Sequence, residues 1–146
     1  MSDREVILAA LFGLISEIGA IPGRSMAVTV KRNAAMPSDV ARSACIIVND
    51  GDPGQPEVTM SPLAYHYEHE VELVVVLQDA VDPSGAMDAL AGAIGLQISS
   101  HRTLAGCEWV EAAAPVPYEL PVDGGASITA ARIAVTLVYS LSDPLI

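Results

Sequence analysis

Aromatic residues and bases are both scarce in this sequence. Its 146 residues include one Phe, one Trp and four Tyr, and 7 Lys and Arg stand against 18 Asp and Glu, for a formal net charge of -11. A chain so poor in bases lacks the positive surface that grips phosphates, which argues against a nucleic-acid-binding protein. With few aromatics, Val, Ile, Leu and Ala must fill the core, and this favours a compact sheet with helices laid upon it.

A long hydrophobic run and a secretion signal are also absent. No stretch reaches the roughly 18 uninterrupted apolar residues that a membrane span needs, and the start, Met-Ser-Asp-Arg-Glu, carries acids where a signal peptide has bases. We therefore expect a protein made in a cytoplasm, unprocessed and without a membrane partner. Only Cys45 and Cys107 carry thiols, and in a chain this rich in core residues we expect buried thiols rather than a disulfide or a metal site.

What the sequence does contain is a long alternating stretch over residues 65–79. Tyr65, Tyr67, His69, Val71 and Leu73 fall on one face, and His66, Glu68, Glu70 and Glu72 fall on the other. A period of two predicts a half-buried strand. From Leu73 to Leu77 both faces are apolar, so the strand must pass from a wet, acidic end into a region that is covered on both sides.

Two helices are predicted from their start signals and their periodicity. Residues 2–20 open with a capping box in which Ser2 accepts from the Glu5 amide and Glu5 reaches back, and apolar residues then recur at helical spacing. Residues 83–101 follow Asp82 as the N-cap, with Pro83 at the first helical position. Both helices end near glycine, proline or polar residues.

The remaining chain alternates strand patterns with loops. Strands are predicted at residues 26–32, 44–49, 106–110 and 127–139, with a short strand or hairpin arm at 57–60. Residues 33–40, 50–55 and 112–126 read as loops that contact other proteins; their candidate assembly residues are Pro37, Asp50, Asp52, Pro117 and Gly124. This order of helices and strands predicts one α+β domain over residues 1–146, with a mainly antiparallel β-sheet and two α-helices packed on one face.

Catalytic and metal chemistry find little support. On a strand, His69 points away from His66, Glu68 and Glu70, and alternate positions lie about 7 Å apart, too far for one ion to take three of them. No nucleophile elbow, Gly-rich phosphate loop or complete calcium loop occurs. We expect no catalytic residues, no cofactor and no metal.

Several local patterns together resemble a known family. They are Asn49-Asp50-Gly51-Asp52-Pro53, Ser61-Pro62-Leu63-Ala64-Tyr65-His66-Tyr67-Glu68-His69, Arg102-Thr103-Leu104-Ala105-Gly106, and a closing Tyr139 with Asp143-Pro144-Leu145. In this order, after a short N-terminal helix and an Arg32-Asn33 loop, they resemble the tail-terminator, or tail-completion, proteins of long-tailed phages, prophages and phage-like gene-transfer particles. The resemblance covers nearly the whole chain.

The resemblance implies a structural protein of the particle tail, made in the bacterial host cytoplasm. It implies a homo-oligomeric ring, usually a hexamer, that caps the tail tube protein, ends tail polymerisation and offers a surface to the head-completion, or stopper, protein. DNA would pass through the lumen without being held. The alternatives are another head-tail connector or tail-tube assembly protein, and, more distantly, a small ligand-binding domain or enzyme.

The acidic face of the long strand is the candidate functional surface. Glu68, Glu70 and Glu72 are too regular to be buried unpaired, because an isolated buried carboxylate is strongly disfavoured. Two arrangements are expected. The carboxylates line a wet surface of the ring, such as its lumen, or they pair with Lys31, Arg32 and Arg132 on adjacent strands, across the sheet or a subunit boundary.

Overall fold

The computed structural model describes residues 1–24, 26–35, 43–78, 81–118 and 128–146. Two helices and seven strands lie among them. In chain order they are α1 (Asp3–Ser16), β1 (Val28–Arg32), β2 (Ala44–Asn49), β3 (Glu57–Met60), β4 (Leu63–Gln78), α2 (Pro83–Ser99), β5 (Trp109–Ala112), β6 (Val116–Tyr118) and β7 (Ile128–Leu141), with a short 3-10 turn at Leu104–Gly106. No helix of the described residues is both long and apolar enough to cross a membrane.

All seven strands belong to one sheet in the order β1-β2-β4-β7-β5, with β3 beside β4 and β6 beside β7. The β1 and β2 pair is parallel, and the other pairs are antiparallel. The two long strands, β4 and β7, pair along almost their whole length, from Tyr65 opposite Leu141 to Gln78 opposite Ile128. The predicted α+β class with a mainly antiparallel sheet is therefore confirmed.

Both helices pack on one face of this sheet, as predicted. Leu11 of α1 and Leu90 of α2 are fully buried in a cluster with Val75 and Leu137, which lie on the helix-facing side of β4 and β7. Burying a side chain of this size stabilises the fold by about 1.5–3 kcal/mol. We call this side of the sheet the inner face, and the opposite side the outer face.

The two helix starts follow the predicted capping chemistry with one difference. The Ser2 hydroxyl accepts from the Glu5 amide at 3.2 Å, and the Asp82 carboxylate accepts from the Gly85 amide at 3.1 Å. The Glu5 side chain does not complete the capping box, because its carboxylate accepts hydrogen bonds from Arg32 on β1. The first turn of α1 is thereby fixed to the sheet.

β4 is covered differently on its two faces. Its inner face is buried from Tyr67 onward. On its outer face Glu68 and Glu70 are exposed, whereas Val74 and Val76 are buried in a second small cluster with Cys45 and Ile47 of β2. The predicted change from a wet end to a doubly covered end is confirmed.

The prediction of one continuous loop over residues 112–126 is wrong. β6 begins at Val116 and pairs with β7, placing Pro117 opposite Ala131. Proline is tolerated there because β6 pairs on one side only, so the missing N–H leaves no gap in a ladder. The other expected loop residues Pro37 and Gly124 lie outside the described residues.

The two cysteines are free and buried, as predicted. Burial raises the pKa of the Cys45 thiol, and it raises the pKa of the Cys107 thiol to about 11. The thiolate is the reactive form of cysteine, and burial disfavours that form at both positions.

Candidate functional site

The acidic outer face extends beyond β4 onto its neighbours β7 and β5. Glu68 lies opposite Val138, which in turn lies opposite Trp109. Two residues further along each strand, Glu70 lies opposite Thr136, and Thr136 lies opposite Glu111. Because register partners share a face of the sheet, these six side chains form one surface of three strands. We call this surface the Trp109 platform.

The platform is open to solvent. Glu68, Glu70 and Glu111 are exposed, and Trp109 is 46% exposed although large aromatic residues are usually well buried. The Arg102 guanidinium lies 4.9 Å from the centre of the Trp109 ring, in cation–π range, and it also donates to the Val110 carbonyl at 2.7 Å. Trp109 is therefore held in place by Arg102 while much of its surface remains accessible.

Of the three bases expected to pair with the acidic face, Arg132 does so. It lies on the outer face, opposite Val74 and Val116. Its guanidinium lies 4.0 Å from the Glu72 carboxylate, with both side chains nearly half exposed. An exposed pair at that distance contributes about 1 kcal/mol at most. Lys31 is exposed on the outer face of β1, with β2 between it and β4.

Within the chain, Arg32 does not pair with the acidic face across the sheet but with two other carboxylates. Arg32 lies on the opposite, inner face, where it donates to both oxygens of Glu5 at 2.7 and 2.8 Å and to both oxygens of Asp50 at 3.0 and 2.9 Å. These hydrogen bonds lower the pKa of Glu5. Burial alone would raise the pKa of Asp50, but the hydrogen bonds from Arg32 and Asn33 outweigh it and the pKa is lowered.

The start of the predicted loop at residues 50–55 is consequently anchored rather than free. The Asp50 amide donates to the Asn33 side chain at 3.0 Å, and the Asp50 side chain is held by Arg32. Asp52 accepts from the Gly54 amide at 2.8 Å in an exposed turn. Gly51 and Gly54 adopt the positive φ angles of 68° and 76° that this turn requires. Asp52, rather than Asp50, therefore presents the accessible part of this segment.

His69 is buried on the inner face, pointing away from His66 as the alternation predicts. Its Nε2 lies 2.6 Å from the Asp50 carbonyl, and its Nδ1 lies 2.8 Å from the Tyr139 hydroxyl. A carbonyl only accepts, so Nε2 carries the proton, and Nδ1 accepts from Tyr139, whose oxygen accepts from Arg4 Nε at 3.0 Å. Burial is the main cause that lowers the pKa of His69, and the neutral ring completes this network.

His66 takes part in a second network on the outer face that the sequence reasoning missed. Its ring nitrogens contact the Thr59 hydroxyl at 3.0 Å and the Ser140 hydroxyl at 2.6 Å, and Ser140 donates to Glu108 at 2.9 Å. This chain of hydrogen bonds joins β3, β4 and β7 to the residue before β5. The period-two pattern places His66 on the acidic face, but the partners come from strands whose register a single sequence does not reveal.

The polar side chains of the described residues pair with one another and do not converge on a metal-binding geometry. In the part of the chain that the structure describes, no group of three His, Cys, Asp or Glu side chains is arranged to hold a metal ion. The buried polar side chains there are hydrogen-bonded within the protein. No family model matches the chain, and no curated protein matches it either.

Proposed function

We propose that this chain is the subunit of a tail-terminator ring in a phage, prophage or phage-like gene-transfer particle. Six copies close a ring on the end of the tail tube, stop the addition of further tube protein and offer a surface to the head-completion protein. The chain is made in the host cytoplasm and resides in the particle tail. Its task is assembly, and it carries out no chemical reaction.

The observation that carries this proposal is the asymmetry of the sheet. Its inner face is covered by α1 and α2, whereas its outer face around Glu68, Glu70 and Glu111 is acidic and left open by the part of the chain that the structure describes. Antiparallel sheets often leave one face to water, and the tryptophan exposed on this face adds a side chain of the kind that is enriched in protein interfaces. This agrees with the ring that the sequence resemblance implies.

The charge of the chain suits a ring that DNA crosses. A wall of carboxylates repels phosphates, so DNA slides past it without sticking. The net charge of -11 makes repulsion of DNA the rule for the whole molecule. His66 and His69 both join neighbouring strands through hydrogen bonds, which is a structural role.

The oligomeric state in assembled tails tests this proposal. Electron microscopy of tails that carry the protein should reveal a six-fold ring at the tube end, and the mass of rings released from those tails should be six subunits. Isolated subunits that stay monomeric agree with the proposal, because the tube end can trigger closure. Stacks of rings along the tube would instead identify a tail-tube subunit. A single copy per tail would contradict any ring.

A further inference from the structure

The Trp109 platform combines an accessible indole with carboxylates on one flat, open surface. Glu68, Glu70, Trp109 and Glu111 all project from the outer face, and Val138 and Thr136 lie between them. We propose that this platform binds an arginine-rich extended segment of a different protein. The inference goes beyond the proposed function and does not depend on it, because it concerns only the surface of one subunit.

The spacing of the platform matches an extended peptide. Glu68 and Glu70 lie about 7 Å apart along β4, as do alternate residues in any extended segment, and Trp109 lies two strand spacings from Glu68, roughly 10 Å away. Each of these distances is within reach of the long arginine side chain. A segment lying across β4, β7 and β5 can therefore place one guanidinium on Trp109 and others on the carboxylates.

The protein itself illustrates both kinds of contact. At one side of the platform the Arg102 guanidinium lies over Trp109, 4.9 Å from the ring centre, and beside the platform the Arg132 guanidinium lies 4.0 Å from the Glu72 carboxylate, in ion-pair range. Planar guanidinium groups stack on aromatic rings and bind carboxylates through two hydrogen bonds, which a lysine ammonium cannot reproduce. The chemistry of the platform therefore favours arginine over lysine.

A second copy of this chain is a poor occupant. Six of the seven bases lie among the described residues, and the five arginines of this set each contact groups of their own chain. The contacts are Arg4 with Tyr139, Arg24 with Asp82, Arg32 with Glu5 and Asp50, Arg102 with Trp109, and Arg132 with Glu72. Among the described bases, Lys31 alone does not balance the three carboxylates of the platform. Nucleic acid is repelled by them, so the complementary partner is a basic protein segment.

Binding can be measured on the full chain through its own fluorescence, because Trp109 is the only tryptophan. The probe is a peptide of alternating Arg and Ser without aromatic residues, compared with the same peptide carrying Lys in place of Arg. We expect the Arg peptide to shift the Trp109 emission and protect it from acrylamide quenching. Affinity should fall by about tenfold or more between about 50 mM and about 500 mM salt, as charge screening requires.

Two matched double variants separate the platform from general negative charge. Glu68→Gln with Glu111→Gln should weaken the Arg peptide by about tenfold. Asp3→Asn with Asp88→Asn removes the same charge from exposed positions on α1 and α2 and should change the affinity by less than about twofold. Trp109→Phe, followed with a labelled Arg peptide, should narrow the preference for Arg over Lys, because Phe is a weaker cation–π partner than Trp.

Three results would overturn the inference. Equal weakening by the two double variants would mean that the peptide is attracted only by net charge. Equal binding of the Arg and Lys peptides would remove the role of Trp109. Tighter binding of a short DNA duplex than of the Arg peptide would assign the surface to nucleic acid. None of these results depends on whether rings form, so the proposed function is tested separately.

Discussion

The two halves of β4 share a buried inner face and differ on the outer one. In the first half, Glu68 and Glu70 are exposed beside Trp109; in the second, Val74 and Val76 are packed against Cys45 and Ile47. The outer face of the sheet is therefore covered at one end of β4 and exposed at the other. The second half is packed on both sides and contributes to the stability of the fold. The outer side of the first half is exposed and remains available for contacts.

The largest effect is expected from exchanging the character of the two halves. Val76→Asp places a carboxylate without a partner in a fully buried position, and should lower the free energy of unfolding by about 4 kcal/mol or more. Glu70→Val makes the reverse change on the exposed half and should alter the free energy of unfolding by less than about 0.5 kcal/mol. Urea unfolding followed by circular dichroism measures both.

A milder pair keeps this test informative if Val76→Asp does not fold. Val76→Thr adds one buried hydroxyl at nearly constant volume and should cost about 1–2 kcal/mol, whereas Glu70→Thr should again be nearly neutral. Equal losses of unfolding free energy at positions 70 and 76 would show that the two halves of the outer face of β4 do not differ in burial.

Arg32 gives the next largest effect, because it joins α1 to the sheet on the inner side of the open half. Arg32→Ala removes a cation that serves two carboxylates, Glu5 and Asp50, and should lower the free energy of unfolding by about 2 kcal/mol. Lys31→Ala, the adjacent exposed position, is the control and should change it by less than about 0.5 kcal/mol. Equal effects at both positions would mean that the Arg32 cluster contributes no more than a surface charge.

A smaller effect concerns pH and His69. Because the pKa of His69 is lowered in the folded protein, the unfolded chain takes up this proton first, near its ordinary pKa of about 6.5. The contribution of neutral His69 to stability is therefore complete above that pH and is lost as the pH falls below it. Protonation at Nδ1 gives the ring a second N–H, which faces the Tyr139 hydroxyl. The charged groups near the ring are Arg4, Asp50 and Asp52.

The measurement is the free energy of unfolding between about pH 7.5 and about pH 5. The wild type should lose stability by at most about 1.4 kcal/mol per pH unit from this one proton, and His69→Gln should show a flatter dependence. Glu5 and Asp50, whose pKa values are lowered, lose their contributions only near pH 4 and below, so they do not interfere. Parallel curves for the two proteins would contradict the role given to His69.

The smallest effect on folding is expected from reversing the acidic face. Glu68→Lys, Glu70→Lys and Glu72→Lys together should change the free energy of unfolding by about 1 kcal/mol or less, because the three side chains are exposed or nearly half exposed. If the face lines the lumen, rings form and DNA passage slows; if it pairs across a subunit boundary, rings do not form. Normal rings with normal DNA delivery would mean that the face neither lines the lumen nor pairs across a subunit boundary, and is a solvated exterior of the ring.

Local patterns predicted most of the fold. The bounds of β2 and β3 agree with the prediction to the residue, and the caps at Ser2 and Asp82 were found because they depend on neighbours in the sequence. β6 departs from the prediction because Pro117 is locally a loop signal, whereas proline excludes only a strand position that must donate to a ladder. The tertiary pairing of β6 with β7 overrode that local signal.

The candidate site was predicted in part, and one error was avoidable. Val28, Val30 and Arg32 share one face of β1, so alternation alone places Arg32 on the apolar inner side and Lys31 on the outer side. Trp109 was not recognised as a neighbour of Glu68, because the register of β5, β7 and β4 depends on long-range packing. A single sequence indicates which face a residue occupies but not which strand lies beside it.

The length of assembled tail tubes shows whether this chain closes the tube, as we propose. The tail-tube protein of the same particle is assembled with and without this chain, and tube lengths are measured by electron microscopy. With the chain present, we expect tubes to stop growing at a defined length, each with one ring at its end. Without the chain, we expect tubes to grow to irregular and greater lengths. Identical length distributions in the two samples would contradict the account.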